Sequence, residues 1–379
     1  MSDKAPIGVA FLGGGSGGHI YPALAIAHAL EATHPDARAI FITGDRAADE
    51  HALADKTVLG RPAVRVPIGA RPLSLKPVGL IRLLTSWGKA VRDSRVAMQS
   101  LKSQCDRVVA LSTGGYVSAP AANAARAERV PLVLVSLDAR IGKANRFVAR
   151  RAQRRLIAQN EGPDGWEGIG PIVGPHAIAP ASKAECRQLL GLDPNLQTLL
   201  VMGGSQGATS INALMALLAQ TRGDLLRGWQ VVHLAGDVHG AELAQAAYQP
   251  AGIPALTLDR LWPIGPAWGA ADLAICRGGA GTVAEIHANT VPAIILPYPY
   301  HKDAHQAVNA QHLVRAGGVE VAFDQIEPRA NLQSLVPLLS GVLGDATKRS
   351  AMAEALRALP RRDGSAACAQ ALVEVARAV

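Results

Sequence analysis

GGGSGGHIYPALAIA, residues 13–27, follows the apolar run Ile7 to Leu12 and leads into a stretch with helical spacing from Tyr21 to Leu30. A short apolar strand, a glycine turn and a helix, in that order, bring backbone N–H groups together at the positive end of a helix, where an anion is favoured. Glycine lets a ligand approach the backbone without obstruction by a Cβ. No Gly-Lys-Ser/Thr follows, so the turn is not a Walker loop. Asp36 precedes the second strand instead of ending it, which removes the dinucleotide fingerprint. A plain tight turn is the competing reading of such a loop taken alone. His19 sharpens the functional one. At a glycine elbow, aimed at the crevice above the strand ends, a neutral imidazole can take a proton from an attacking hydroxyl.

The same grammar continues outward. Ala39 to Thr43 is a second strand, and Arg107 to Leu111 a third that runs into glycines and the Ala-rich helix Ala119 to Ala127, with Pro131 to Val135 directly after. A second series starts at Leu199 to Met202, followed by glycines and a helix from Ile211 to Leu218. Gln230 to Ala235, Ala255 to Leu258, Leu273 to Cys276 and Ala293 to Leu296 complete it. Continuous apolar strands alternating with helices predict parallel sheets covered on both faces. Two such series imply an α/β protein of two doubly wound, Rossmann-like domains. The Gly- and Pro-rich segment 168–182 marks the boundary. Lys348 to Val379 is helical, broken at Pro360, and caps one domain or the other.

A length of 379 residues suits two domains, and 49% apolar against 18% charged residues supplies large cores. The net charge of +8 points to an anionic partner, be it nucleic acid, lipid or a phosphorylated small molecule. Nucleic acid is disfavoured, because the basic residues have neither aromatic interleaving nor a helix-turn-helix setting. Four scattered cysteines fit a reducing compartment and no zinc site. The N-terminal apolar stretch is too short and Gly-rich for a signal peptide, and no run is long enough to span a bilayer, so any membrane contact is peripheral. Arg71 to Arg92 mixes Leu, Ile, Val and Trp87 with Arg71, Lys76, Arg82, Lys89 and Arg92. It reads either as a loop and basic amphipathic helix lying on anionic lipid, or as a core-facing helix with a solvated edge.

Three further loops carry polar groups. STGGYVSAP, residues 112–120, offers Gly115 and the hydroxyl and ring of Tyr116. MGGSQGATSIN, residues 202–212, offers Ser205 and Gln206 to a phosphate. In ICRGGAGTVAEI, residues 275–286, glycines precede a helix that Thr282 can cap. A diphosphate is favoured at that helix start, and Glu285 stands one turn in, placed to accept bonds from ribose hydroxyls. After Leu296 comes a loop with His301, Asp303, His305 and Gln306, side chains suited to sugar hydroxyls. Loop residues at the His301/His305 spacing are seldom metal ligands, and neither a metal nor a cofactor is expected.

Together these loops resemble the MurG family. The matching segments are GGGSGGHIYPALAIA, STGGYVSAPAANAA, LLVMGGSQGATSIN, CRGGAGTVAEI and HKDAHQAVNA, in family order from about residue 7 to 340. The resemblance implies a GT-B architecture, two Rossmann-like domains facing across a cleft. Residues 1–174 with the last helix, 358–379, would form the acceptor and membrane-side domain, and 175–357 the UDP-sugar domain. It further implies inverting transfer of N-acetylglucosamine from UDP-N-acetylglucosamine to the undecaprenyl-pyrophosphoryl-N-acetylmuramoyl-pentapeptide of peptidoglycan synthesis, as a peripheral enzyme at the cytoplasmic face of the cell membrane and on its anionic surface. His19 is then the general base. Ala280, Gly281 and Thr282 lie at the diphosphate and sugar, Glu285 at ribose, and His305 and Gln306 at the sugar hydroxyls. Ser205 and Gln206 line the pyrophosphate side, while Gly17, Gly18, Gly115 and Tyr116 form the acceptor site.

Two departures stand out. The family's His-Glu-Gln-Asn stretch after PLVLV is replaced by Ser136, Leu137 and Asp138, with Gly142 and Asn145 keeping the downstream pattern. Asp138 would stand in for the asparagine, offset by Arg140 or Lys143. The junction Gly-Asn-Pro-x-Arg appears as GPHAIA, without its arginine. The alternatives are another GT-B glycosyltransferase, an isomerase such as a UDP-N-acetylglucosamine 2-epimerase, or a non-catalytic homologue.

Overall fold

A computed structural model describes residues 5–15, 17–72, 77–204, 207–300 and 304–378. The chain divides into two compact units, Met1–Gly174 with Arg362–Val379, and Pro175–Arg361.

Unit 1 runs β1 (Ala5–Gly13), α1 (Gly17–Thr33), β2 (Arg38–Thr43), α2 (Ala47–Leu53), β3 (Thr57–Val58), β4 (Arg61–Pro62), β5 (Val64–Pro67), α3 (Pro77–Gln104), β6 (Cys105–Gly114), α4 (Ser118–Ala127), β7 (Leu132–Ser136), α5 (Lys143–Ala149), β8 (Arg154–Ile157) and β9 (Glu167–Gly168). Unit 2 continues with α6 (Lys183–Leu189), β10 (Gln197–Met202), α7 (Thr209–Arg222), β11 (Trp229–Leu234), α8 (Val238–Tyr248), β12 (Ala255–Leu258), α9 (Gly265–Ala270), β13 (Leu273–Cys276), α10 (Ala280–Asn289), β14 (Ala293–Ile295), α11 (His305–Ala316), β15 (Val319–Val321), α12 (Pro328–Leu343) and α13 (Ala346–Arg357). Helix α14 (Gly364–Arg377) returns to unit 1, where it packs on α1, β6 and β7.

Both large sheets are parallel. Their orders are β5-β2-β1-β6-β7-β8-β9 and β12-β11-β10-β13-β14-β15. In each, the first strand of the unit lies inside the sheet and the order reverses beside it, between β1 and β6 and between β10 and β13. Such a reversal sends the helices on either side to opposite faces and leaves a crevice at the carboxyl ends of the strands.

Strand burial explains the continuous apolar runs. Leu199 and Val201 belong to one core of unit 2, and Leu200 and Met202 to another on the opposite face, all at 6% exposure or less. Successive side chains of a strand point to opposite faces, so both faces are dry.

Three elements differ from their sequence expectation in extent. Helix α1 starts at Gly17, four residues before Tyr21, because the glycines that read as turn form its first turn. Pro22, the sixth residue of α1, lacks the N–H that would otherwise bond the Gly18 carbonyl. Helix α3 extends to Gln104, beyond the basic segment that suggested it. The C-terminal helical stretch is two helices in different units, α13 in unit 2 and α14 in unit 1. Among the described residues no helix is long and apolar enough to cross a membrane.

Candidate functional site

In unit 1 the crevice beside β1 and β6 is built around His19. Its Nδ1 lies 3.0 Å from the Thr113 carbonyl oxygen, and the Thr113 hydroxyl donates back to the His19 carbonyl at 2.9 Å. A carbonyl only accepts, so Nδ1 carries the proton and Nε2 keeps its lone pair in the neutral ring. That is the tautomer of a general base. Gly114 and Gly115, at φ +103° and +82°, lie against the ring: a Cβ on either would sit 3.1 Å from an imidazole carbon, and on Gly115 only 2.3 Å from the Gly14 oxygen. The glycines are therefore required by close approach as well as by backbone conformation.

Asn145 Oδ1 reaches the same spot, 3.2 Å from a Cβ built on Gly114. Asn145 also donates to Ser136 Oγ, which donates to the Asp138 carbonyl at 3.1 Å. Ser136, Asp138 and Asn145 thus converge on the Gly114 side of the crevice, where the family pattern is altered.

Asp49, on α2, is a residue the sequence reading missed. Buried, it accepts from the Gly15 N–H at 2.8 Å and the Gly44 N–H at 2.9 Å. The Gly15 amide is thereby committed to a protein carboxylate instead of a ligand. Gly17 and Gly18, in the first turn of α1, have N–H groups without an intrahelical acceptor. Tyr116, expected to present its ring and hydroxyl to a ligand, instead packs over Gly15, with the Arg46 guanidinium 5.1 Å from its ring centre. Burial pushes its phenol pKa up.

The crevice of unit 2 gathers the remaining candidates that are described. Helix α10 begins at Ala280 after Gly279 as N-cap, so Ala280, Gly281 and Thr282 are its first three residues. Thr282 is buried in that turn and does not cap it. Their N–H groups face the site as unpaired helix-end donors. Among the described residues a Cβ on Gly279 or Gly281 would meet nothing within 4 Å, leaving room there for a ligand. Glu285 follows one turn later. Trp268 Nε1 donates to its Oε2 at 2.9 Å, and burial pushes its pKa up to about 7 against the lowering effect of that bond.

Gln306, in the first turn of α11, accepts from the Tyr298 N–H at 2.8 Å and the Gly278 N–H at 3.3 Å through Oε1. Two backbone donors on one oxygen fix the amide orientation and leave Nε2 to donate elsewhere. His305 begins the same helix after Ala304 at φ +48°. Ser205, Gln206, His301 and Asp303 lie outside the described residues.

Arg277 is the second missed residue. It follows β13 directly, is 6% exposed, and donates to the Leu296 and Pro297 carbonyls at 2.8 and 3.2 Å. It also donates to Ser210 Oγ at 2.7 Å and pairs with Asp324 at 2.7 Å. Burial would raise the Asp324 pKa, but bonds from Ser210, Asn331, Ile326 N–H and Arg277 outweigh it and hold the carboxyl below its ordinary range. One ion pair therefore ties the start of α7, the ends of β13 and β14 and the loop after β15. The junction segment is held by Asn289, which donates to the Ala177 carbonyl and accepts from the Ala179 N–H, each at 2.8 Å. Within this segment, which lacks the arginine of the family pattern, His176 stacks on Trp262 at 4.2 Å.

Two parallel α/β sheets of Rossmann type, each with glycine loops at the carboxyl ends of its strands, have the architecture of the GT-B class of glycosyltransferases. Residues 9–157 match the glycosyltransferase family 28 N-terminal domain and residues 198–365 its C-terminal domain. The chain is 34% identical over 383 residues to the UDP-N-acetylglucosamine–N-acetylmuramyl-(pentapeptide) pyrophosphoryl-undecaprenol N-acetylglucosamine transferase of Saccharopolyspora erythraea, covering 99% of this chain and 96% of that protein. It is 35% identical over 390 residues to the transferase of the same name from Mycobacterium avium, covering 100% and 91%. Acinetobacter baumannii MurG superposes with a TM-score of 0.65 at 23% identity, over 98% of this chain and 99% of that one. The UDP-GlcNAc 2-epimerase of Neisseria meningitidis gives 0.60 at 12%, over 99% and 100%, a likeness of fold. The chain belongs to the MurG family within glycosyltransferase family 28.

Replacing Arg277 by Met leaves Asp324 buried without its cation and is expected to cost about 3–5 kcal/mol, whereas Arg277→Met with Asp324→Asn, which removes the charge but keeps a carbonyl oxygen for the Ser210, Asn331 and Ile326 donors, should recover part of that loss. Urea denaturation of both variants checks this. Equal destabilisation of single and double variants would show that the pair is not what holds these loops.

Proposed function

We propose that this glycosyltransferase moves N-acetylglucosamine from UDP-N-acetylglucosamine to the 4-hydroxyl of a lipid-linked N-acetylmuramoyl-pentapeptide, with inversion. Full-length identity to transferases carrying that name supports the substrates. The observation that carries the mechanism is the His19 tautomer, with Nδ1–H committed to the Thr113 carbonyl. The acceptor oxygen attacks C1 of the donor sugar as its proton passes to His19 Nε2. The C1–oxygen bond breaks, and UDP leaves with the electron pair. First-turn amides of α10, from Ala280, Gly281 and Thr282, meet the charge that develops on the diphosphate. Glu285 accepts from the ribose hydroxyls, Gln306 and His305 address the sugar, and Ser205 and Gln206 serve the pyrophosphate side. On the acceptor side Gly17, Gly18 and Gly115 bring backbone close to the lipid pyrophosphate, with Tyr116 bracing the loop and Asp138 bordering it.

The proposal also places the enzyme peripherally on the anionic cytoplasmic face of the membrane, through α3. Val78, Ile81 and Leu84 are at least 60% exposed there. Of the bases in that region, Arg71 pairs with Asp45 and Lys89 with Asp93, which leaves Arg82 and Arg92 for lipid phosphates. Lys76 lies outside the described residues.

Four outcomes test this reading. His19→Ala should lower transfer to the lipid-linked acceptor by about 10²–10⁴-fold with donor affinity kept; undiminished turnover removes His19 from the base role. Product formed from UDP-N-acetylglucosamine without any acceptor would instead favour an isomerase. Because Glu285 titrates near 7 and accepts bonds best as the carboxylate, donor affinity should weaken as pH falls from 8 to 6 and stay flat in Glu285→Gln, as read by calorimetry. Val78→Ser, Ile81→Ser and Leu84→Ser together should abolish flotation with anionic vesicles while leaving transfer to a short-chain, detergent-free acceptor intact; unchanged flotation overturns the α3 contact.

A further inference from the structure

A second basic feature lies at the opposite end of the unit 1 sheet from His19. Where α4 and α5 end and β7 and β8 begin, a cavity of about 560 Å³ is lined by Arg126, Arg129, Arg150 and Arg151, with Pro131 and Gln153 between them. Among the described residues none of the four guanidinium groups has an ion-pair partner. Glu128 shares the α4–β7 turn but is engaged elsewhere. It accepts from Arg95 at 2.6 Å and from Gln99 at 3.0 Å, and the Arg95 bond holds its carboxyl below the usual range.

Helix ends do not balance the remaining charge. Two helix C-termini supply about half a negative charge each, against four positive groups. Arg151 is the clearest sign of imbalance. It is held in place by a bond to the Phe147 carbonyl at 3.1 Å and by stacking 4.1 Å over the Phe147 ring, yet its Nε is buried with no hydrogen-bond partner. Burial, and then the like charges of Arg126 and Arg150, push its pKa down. A buried donor without an acceptor and a cluster of like charges both raise the energy of the empty cleft, and one multivalent oxyanion relieves both. Guanidinium forks match the oxygens of a phosphate in pairs.

We propose that this cleft binds a phosphate group, carried either by a soluble pyrophosphate or phosphate ester or by a phospholipid headgroup. The site is separate from the strand-end crevice and does not rest on the reaction proposed above.

The test uses full-length protein saturated with UDP, so that the donor site is occupied, and inorganic pyrophosphate as the calorimetric probe. Arg126→Gln with Arg151→Gln should weaken pyrophosphate binding about tenfold or more, from the loss of two charge-assisted contacts. Arg129→Gln with Arg150→Gln changes only exposed side chains and should act in the same direction, which guards against misfolding of the first variant. Arg329→Gln with Arg357→Gln removes the same charge elsewhere and should have little effect. Co-sedimentation with phosphatidylcholine vesicles, with and without phosphatidylglycerol, distinguishes the sources. Loss of phosphatidylglycerol binding in the cleft variants alone identifies a headgroup, and loss of pyrophosphate binding alone identifies a soluble ligand. The proposal is overturned if the wild-type protein binds neither probe, or if the control variant loses as much as the cleft variants.

Discussion

Everything functional in this protein depends on one topological constraint. In a parallel sheet wound in both directions, two neighbouring strands send their helices to opposite faces, and their carboxyl ends cannot both be covered. Each unit has one such place, beside β1 in one and beside β10 in the other. Loops that leave these strands carry the glycines, and helices that follow present unpaired N–H groups. The proposed chemistry draws on what the backbone already offers there, and relatively few side chains are added to it.

Those side chains fall into two kinds. His19, Glu285 and Gln306 have one polar atom committed to the protein and another left over, so their orientation is set before a ligand arrives. Asp49, Arg277 and Asp324 are buried and wholly engaged by neighbouring loops. Charged groups at these positions hold irregular backbone with stronger hydrogen bonds than neutral ones provide. The scaffolding carboxylate of unit 1 takes the Gly15 amide, so the acceptor cradle proposed for this loop is narrowed to the first turn of α1.

Legibility in the sequence followed the physics of each feature. The two sheets were readable because strands dry on both faces must be apolar throughout, as in Leu199 to Met202. That Ala280 to Thr282 and His19 stand at helix starts was readable because a glycine elbow before a helix is a local pattern. Asp49 and Asp324 were not, since most of their partners lie on other elements and nothing nearby marks an aspartate as buried. Arg277 had a faint signal, a cation wedged between an apolar strand and glycines. The Tyr116 expectation took a hydroxyl beside glycines as ligand-facing, but a flat ring is also what covers a loop such as Gly13 to Gly15 that lacks side chains of its own.

The return of α14 to unit 1 makes unit 2 an insertion within it. Leu372 and Cys368 are fully buried against strands made more than two hundred residues earlier. A ribosome therefore releases all of unit 2 before the first sheet receives its last cover, and the amino-terminal half must wait, with apolar surface unshielded, while the inserted half is already able to fold. Order of synthesis and order of completion are opposed in this chain, and the span of exposure is set by the length of the insertion.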